Sequence, residues 1–301
     1  MPKLTTSRLG LSYQQAGEGP DLVMVHGLAA NQVFWYTKIL PALAPHYRVT
    51  LYDLRGHGMS DMPPDGYTTQ DHAEDLLSLL DALEIEKPHL VGHSLGGGIC
   101  AHFAAFFPER LATLSLLDCR LHALQPMVSR DDEAHWAKRR AEIAAKGIPI
   151  PEGTPRAVYS MLEELTPLAD AGMINPNAIP GLVIQNGIWN PASRSAKRWM
   201  KLVNTTTIAR DLLNISGLTR EKIAGIAHPT LLLFGADSNC LPTGRELEKI
   251  LPQAHSVVLP GLGHFFPVVQ PALVVEHLRR FLPEQGALPA SSSILSASSS
   301  P

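Results

Sequence analysis

Six short apolar runs alternate with helical patterns along most of this chain, and that alternation limits it to few folds. The runs cover residues 22–25, 49–52, 89–91, 114–117, 230–234 and 256–259, each of strand length and bounded by Gly, Asp or Pro. They are almost continuously apolar, the pattern of strands covered on both faces. Residues 70–83 place Ala73, Leu76, Leu77, Leu80 and Leu83 on one helical stripe, and 273–282 repeat the pattern more briefly. Strands that alternate with such helices predict right-handed crossovers, hence an α/β fold with a mostly parallel, doubly wound sheet. An earlier pair, 4–7 and 11–15, predicts a hairpin at the sheet edge.

The alternation stops after Asp118 and resumes near Pro229. Residues 119–228 hold amphipathic helical patterns broken by Pro and Gly, and no convincing set of strands. They are expected to form a helical cap, or lid, inserted after the sixth strand, over the sheet edge where open α/β sheets gather ligands. The core is then 1–118 plus 229–284. Residues 285–301 are Ser-rich and aperiodic and are expected to be a disordered tail.

Composition narrows the function. With 45% hydrophobic residues and a net charge of −3, the chain lacks the basic excess needed to neutralise phosphates, so no nucleic-acid partner is expected. No stretch approaches the roughly 18 apolar residues of a membrane helix, and the N-terminus carries no signal-peptide core. The three cysteines, Cys100, Cys119 and Cys240, are too widely spaced for a disulfide framework or a zinc motif. Reduced thiols and a cytoplasmic location are expected.

The strongest local signal is Gly92-His93-Ser94-Leu95-Gly96, between a strand and a helix-like stretch at 97–107. A G-x-S-x-G pentapeptide arises by chance in about one chain in ten of this length. Its context carries the weight: a sharp strand-to-helix turn needs small flanking residues so that the serine can protrude above the sheet. The same glycines also spell a dinucleotide-like spacing, Gly92, Gly96 and Gly98, with Asp118 about twenty residues on. Against that, they fall inside the helix pattern, and no Tyr has a Lys four residues later.

A serine hydroxyl needs a base, and the base needs an orienting carboxylate. His264, in Gly261-Leu262-Gly263-His264-Phe265, follows the last strand by a few residues. For the acid, Asp237 lies just past the fifth run in a Gly-x-Asp turn, and Pro242 then opens the next helix. Asp118, ending the fourth run, is the rival. Asp237 is preferred because the turn exposes it. Asp53, in Asp53-Leu54-Arg55-Gly56-His57-Gly58, reads as a structural turn residue.

With Ser94, Asp237 and His264 in that order, each at a strand's C-terminal end, the chain resembles the serine-nucleophile branch of the α/β-hydrolase superfamily. His26-Gly27 and the turn at 53–58 extend the match over the whole core. The resemblance implies an oxyanion hole formed by the backbone N–H groups of Leu28 and Leu95, with His26 holding the turn. It also implies a hydrolase cleaving a carboxylic ester, lactone or thioester of a moderately hydrophobic small molecule through an acyl-enzyme on Ser94, with no metal or organic cofactor. Carbon–carbon bond hydrolases use the same three residues, although those relatives usually carry Trp after the histidine, where Phe265 stands here. Other tailoring reactions on the same scaffold and a hydrolase-like small-molecule receptor are further alternatives.

Trp35, Trp136, Met161, Trp189 and Phe265 are candidate pocket residues, because they supply apolar bulk near the oxyanion loop, the histidine or the insertion. Arg194, Lys197, Arg198 and Lys201 recur at helical spacing. A solvated face is their ordinary reading, and a carrier-protein contact the more speculative one. Self-association is left open.

Overall fold

Each of the six apolar runs is a strand, and the short N-terminal pair forms the expected edge hairpin. The computed structural model of the chain describes residues 2–126, 141, 145, 184–185, 188–189 and 194–283. One sheet contains eight strands: β1 (Lys3–Thr5), β2 (Gly10–Ala16), β3 (Asp21–Val25), β4 (Arg48–Tyr52), β5 (His89–His93), β6 (Thr113–Leu117), β9 (Thr230–Gly235) and β10 (Ala254–Leu259). Their order is β1-β2-β4-β3-β5-β6-β9-β10. β2 pairs antiparallel with β1 and β4, and every pair from β4 through β10 is parallel.

Strand side chains alternate between faces, and here both faces are covered. Val23, Val25, Leu90, Leu114, Leu116 and Leu232 enter one core layer. Leu22, Met24, Val91, Leu117, Leu231 and Leu233 enter the other. This two-sided burial explains the unbroken apolar runs. Helices α1 (Ile39–Leu43), α2 (Thr69–Ala82) and α3 (Leu95–Phe106) follow the first strands. A capping box starts α2: Thr68 Oγ1 accepts from Asp71 N, and the Asp71 carboxylate accepts from Thr68 N. Its buried face includes Ala73, Leu76, Leu79 and Leu80, with Leu77 only half-buried, so the stripe lies slightly to one side of the predicted one.

The segment between β6 and β9 adds a two-stranded hairpin, β7 (Ile184–Gln185) with β8 (Ile188–Trp189), which the sequence pattern did not reveal. It also adds α4 (Arg194–Thr205), α5 (Ile208–Asp211) and α6 (Arg220–Ala224). The C-terminal part contributes α7 (Leu241–Ile250), α8 (Phe266–Val269) and α9 (Pro271–Phe281). Among the described residues, no helix is long and apolar enough to cross a membrane. The predicted tail at 285–301 lies outside the described residues.

Helix α4 docks on the turn after β4. Arg198 donates to the carbonyls of Ser60 and His57, Trp199 and Leu202 are buried, and Tyr67 N donates to Asp211 at 3.1 Å. Arg198 is therefore no part of a solvated basic stripe, whereas Lys197 and Lys201 are exposed. Beneath this contact, Arg55 makes a two-pronged ion pair with Asp75 of α2. Nε and Nη2 each lie 2.5 Å from a carboxylate oxygen, and both side chains are buried. Removing one partner strands the other's charge. Asp75→Ala is expected to lower unfolding free energy by about 3–5 kcal/mol in urea titrations. Asp81→Ala, which breaks the more exposed pair with Arg110, should change it by about 1 kcal/mol at most.

Candidate active site

The strand order fixes where side chains from distant parts of the chain meet. From β3 the chain moves outward to β4 and then returns to the other side of β3 to form β5. The crevice beyond the C-terminal ends of β3 and β5 is thus a topological switch point, the usual ligand position in such sheets. Ser94 stands at the end of β5 and Gly27 just beyond β3. A Cβ built on Gly27 would lie 3.0 Å from the Ser94 Cβ.

Ser94 links β5 directly to α3 with φ +56° and ψ −120°, a left-handed conformation that costs a non-glycine residue about 1–3 kcal/mol. The turn is possible because its flanks lack side chains: a Cβ on Gly92 would come 2.3 Å from the Gly96 carbonyl oxygen, and one on Gly96 would come 2.2 Å from that of Val25. The Ser94 N–H donates to Leu117 O at 3.0 Å, which ties the turn to β6. Gly96, Gly97 and Gly98 are buried within α3, so they form no phosphate loop at the strand end.

His264 reaches the serine from the loop after β10. Its Nε2 lies 3.0 Å from Ser94 Oγ, and its Nδ1 lies 2.7 Å from Asp118 Oδ2. The carboxylate on the imidazole is therefore Asp118, not Asp237, which corrects the sequence-based preference. β6 is the immediate neighbour of β5, so Asp118, the residue just after its end, is one strand away from Ser94. β9 is two strands away, and Asp237 lies two residues beyond its end on an exposed turn. The histidine loop crosses directly over the end of β9, where a Cβ on Gly235 would come 2.3 Å from Leu262 O. That crossing carries the imidazole past Asp237 to Asp118. Asp237 contributes through its backbone, whose N–H donates to Leu262 O at 3.0 Å and anchors the loop.

Asp118 is fully buried, and each oxygen is satisfied. Oδ1 accepts from Gly235 N at 2.9 Å, and Oδ2 accepts from the Ser238 hydroxyl as well as from His264. Like Ser94, it has a positive φ, +46°. Burial alone would raise its pKa, but the hydrogen bonds from His264, Ser238 and Gly235 outweigh it and hold the carboxyl below its ordinary range. For His264, burial disfavours the charged ring. The Asp118 hydrogen bond and the nearby Cys240 and Asp118 outweigh it, leaving the imidazole pKa well above the ordinary 6.5.

Three further histidines brace the site. His93 donates from Nε2 to the His264 carbonyl at 2.9 Å and stacks on Phe34 at 4.9 Å between ring centroids. His26 accepts from Leu54 N through Nε2 (3.1 Å) and donates from Nδ1 to Gly27 O (2.7 Å). It thereby holds the turn after β3 as the resemblance implies. His57 accepts from Ala29 N at 3.2 Å and donates to Arg55 O at 2.9 Å. Burial pushes His26 down to about 4 and His57 and His93 to about 3, keeping all three neutral. Asp53 accepts from Gln32 N and Met59 N, joining the two loops as a structural residue. Ala30 N closes the turn onto Gly27 O, and Leu28 N and Leu95 N have no acceptor among the described residues.

The pocket candidates divide. Trp35 is fully buried in the core layer with Ile39, Leu40 and Leu43, edge-on to Phe34, so it lines no open pocket. Phe34, between Trp35 and His93, is the ring nearer the serine turn. Phe265 is almost fully buried and packs edge-on against His264 at 5.0 Å, backing the imidazole. Trp136 and Met161 lie outside the described residues. Trp189 is placed only by its backbone pairing with Ile184. Sequence reasoning missed Ser238, Cys240 and the contact made by His93. Ser-x-Cys beside the Gly-x-Asp turn was legible, but nothing in it showed which way those side chains face.

The chain is 27% identical over 279 residues to the non-heme chloroperoxidase CPO-A1 of Kitasatospora aureofaciens, covering 89% of this chain and 94% of that protein. It is 41% identical over 271 residues to the dihydrolipoyllysine-residue acetyltransferase component of the acetoin cleaving system of Pseudomonas putida, covering 90% of this chain and 65% of that one. Among solved structures, Est816, described as an N-acyl homoserine lactone degrading enzyme, superposes with a TM-score of 0.68 at 25% identity, covering 93% of this chain and all (100%) of that one. Residues 20–271 match the family described by the alpha/beta hydrolase fold. Sheet order, serine turn and family match agree, and the chain belongs to the α/β hydrolase fold family.

Proposed function

We propose that the chain is a serine hydrolase that cleaves a carboxylic ester, lactone or thioester of a moderately hydrophobic small molecule, with Ser94 as nucleophile, His264 as base and Asp118 as the orienting acid. The observation that carries this reading is the imidazole held between Ser94 Oγ and the Asp118 carboxylate. With Nδ1–H donated to Asp118, Nε2 presents a lone pair to the serine hydroxyl. Ser94 Oγ attacks the carbonyl carbon as its proton passes to Nε2. The carbonyl oxygen takes the negative charge and is held by the N–H groups of Leu28 and Leu95, at the head of α3 where the helix dipole is favourable. His264 then protonates the departing alcohol or thiol, and water repeats the sequence to release the acid.

The lactone arm is supported by the similarity to Est816 over the length of both chains. We divide the chain into a core, 1–118 and 229–284, and a cap, 119–228, whose docked helix α4 closes over the turn after β4. The three cysteines are unpaired, which supports a reducing compartment such as the cytoplasm. A panel of p-nitrophenyl esters of graded chain length, acyl homoserine lactones and acyl thioesters tests the reading, alongside labelling by a fluorophosphonate. Turnover of one class with covalent labelling at Ser94 is expected. A folded protein that neither labels nor hydrolyses any of them would refute the proposal.

The raised His264 pKa sets the sign of the pH dependence. A higher pKa keeps the proton on the ring to higher pH, and only the neutral ring accepts the serine proton. Thus kcat/KM should rise about tenfold per pH unit on its acid limb, with a midpoint above the ordinary histidine value of 6.5. A midpoint below that value in initial-rate measurements would contradict the electrostatic account.

A further inference from the structure

Cys240 is unused by the chemistry above, yet its sulfur lies 3.7 Å from His264 Nδ1, on the side of the ring that faces Asp118. We propose that Cys240 Sγ, His264 Nδ1 and Asp118 Oδ2 form a binding site for a thiophilic divalent cation of the zinc type, and that filling it switches the serine off. The site rests on geometry alone; the switch rests on the function proposed above. Sulfur, imidazole nitrogen and carboxylate oxygen all lie within 4.8 Å of one another, the one such cluster of metal-ligand types among the described residues.

A tetrahedral zinc centre, with bonds of about 2.0–2.3 Å, holds its ligand atoms about 3.3–3.6 Å apart. The Sγ–Nδ1 separation already fits. The 2.7 Å between Nδ1 and Oδ2 needs to open by about 0.6 Å, the change expected when a cation replaces the bridging proton. Thiolate and carboxylate together balance the double charge, so the filled site is neutral in its buried setting. A sulfur–nitrogen–oxygen donor set selects zinc or cadmium over magnesium or calcium, which require shells of oxygen. The His264 side chain is 14% exposed, whereas the Asp118 side chain is fully buried. Cys100 and Cys119 are completely buried.

The proton balance explains the switch. The cation takes the Nδ1 lone pair and the Cys240 thiolate, and the thiol proton leaves to solvent. The proton formerly on Nδ1 is replaced by one on Nε2, so the ring stays neutral. Nε2–H then donates toward Ser94 Oγ, 3.0 Å away, and has no lone pair left to accept the serine's proton. No bond to carbon changes and nothing is oxidised or reduced.

The test uses the full chain freed of metal by chelation. Cadmium titration should give one thiolate charge-transfer absorption band per chain, retained in Ser94→Ala and lost in Cys240→Ala. Zinc should abolish ester hydrolysis or fluorophosphonate labelling reversibly, with chelator restoring both, while magnesium and calcium leave them unchanged. Cys240→Ala, assayed without metal on the pH plateau above its acid limb, should stay active, and it should need at least about tenfold more zinc for half-inhibition. If that variant does not fold, Cys240→Ser serves, with cadmium affinity expected to fall at least about tenfold. A cadmium band indifferent to both substitutions would overturn the site. Cadmium bound at Cys240 with hydrolysis intact would overturn the switch. Because binding is read in Ser94→Ala, the site can be judged even if the hydrolase reading fails.

Discussion

Ser94→Ala is expected to lower kcat by about 10⁶ while the protein stays folded, provided chemistry limits turnover. The substitution removes one oxygen from a half-buried position whose only side-chain partner among the described residues is His264. The backbone keeps its +56° φ, held by the Leu117 carbonyl and the close packing of Gly92 on Gly96. Alanine is no better suited to that conformation than serine, so circular dichroism and thermal melts should overlay those of the parent. Steady-state kinetics on the best ester, with fluorophosphonate labelling as an independent readout, checks the loss. Parental turnover in a folded Ser94→Ala protein would remove the nucleophile from the mechanism and leave the geometry unexplained.

The second large effect separates two aspartates of which the sequence favours Asp237 and the structure places Asp118 on the imidazole. Asp118→Asn should cost about 10⁴ in kcat. An amide at this position presents N–H groups to Nδ1 or to Ser238 and no longer selects the tautomer with its lone pair on Nε2. Asp118→Ala should add a loss of stability, since the Gly235 N–H and the Ser238 hydroxyl would be left buried without their acceptor at about 1–3 kcal/mol each. Asp237→Asn, on an exposed turn, should stay within about twofold of the parent, the range of a surface change. Its structural contribution is a backbone N–H that any residue except proline supplies. Measured kcat for the two Asn variants decides the assignment, and the reverse ranking would restore Asp237.

These two aspartates mark how far the sequence can be read. Each lies just after an apolar run, so both were legible as residues at a strand's C-terminal end. Exposure is a misleading guide here: the Gly-x-Asp turn suggests a way to present Asp237, whereas the glycine at 235 clears a path for the histidine loop. Trp35 carries a similar lesson. Its place in an apolar loop next to the oxyanion turn suggested a pocket, yet it turns into the layer under α1 and leaves Phe34 facing His93. Arg198 looked like one charge on a solvated helix face, but its guanidinium caps the carbonyls of the turn after β4.

What the sequence determined by itself was everything governed by local periodicity and covalent constraint. The near-continuous apolar runs required a parallel sheet buried on both sides, and the glycines around Ser94 allowed only a sharp turn that lifts the hydroxyl. Ser94, directly after a strand, and His264, on the short loop that follows another, were legible as candidates from those positions. The tertiary structure decided which acid meets the imidazole, which aromatic rings lie near the serine, and that a cysteine sits beside the base. Those outcomes depend on strand order and on the course of a loop over its neighbours. Strand order and loop course are set by long-range packing, and the spacing of residues along the chain carries almost none of that information.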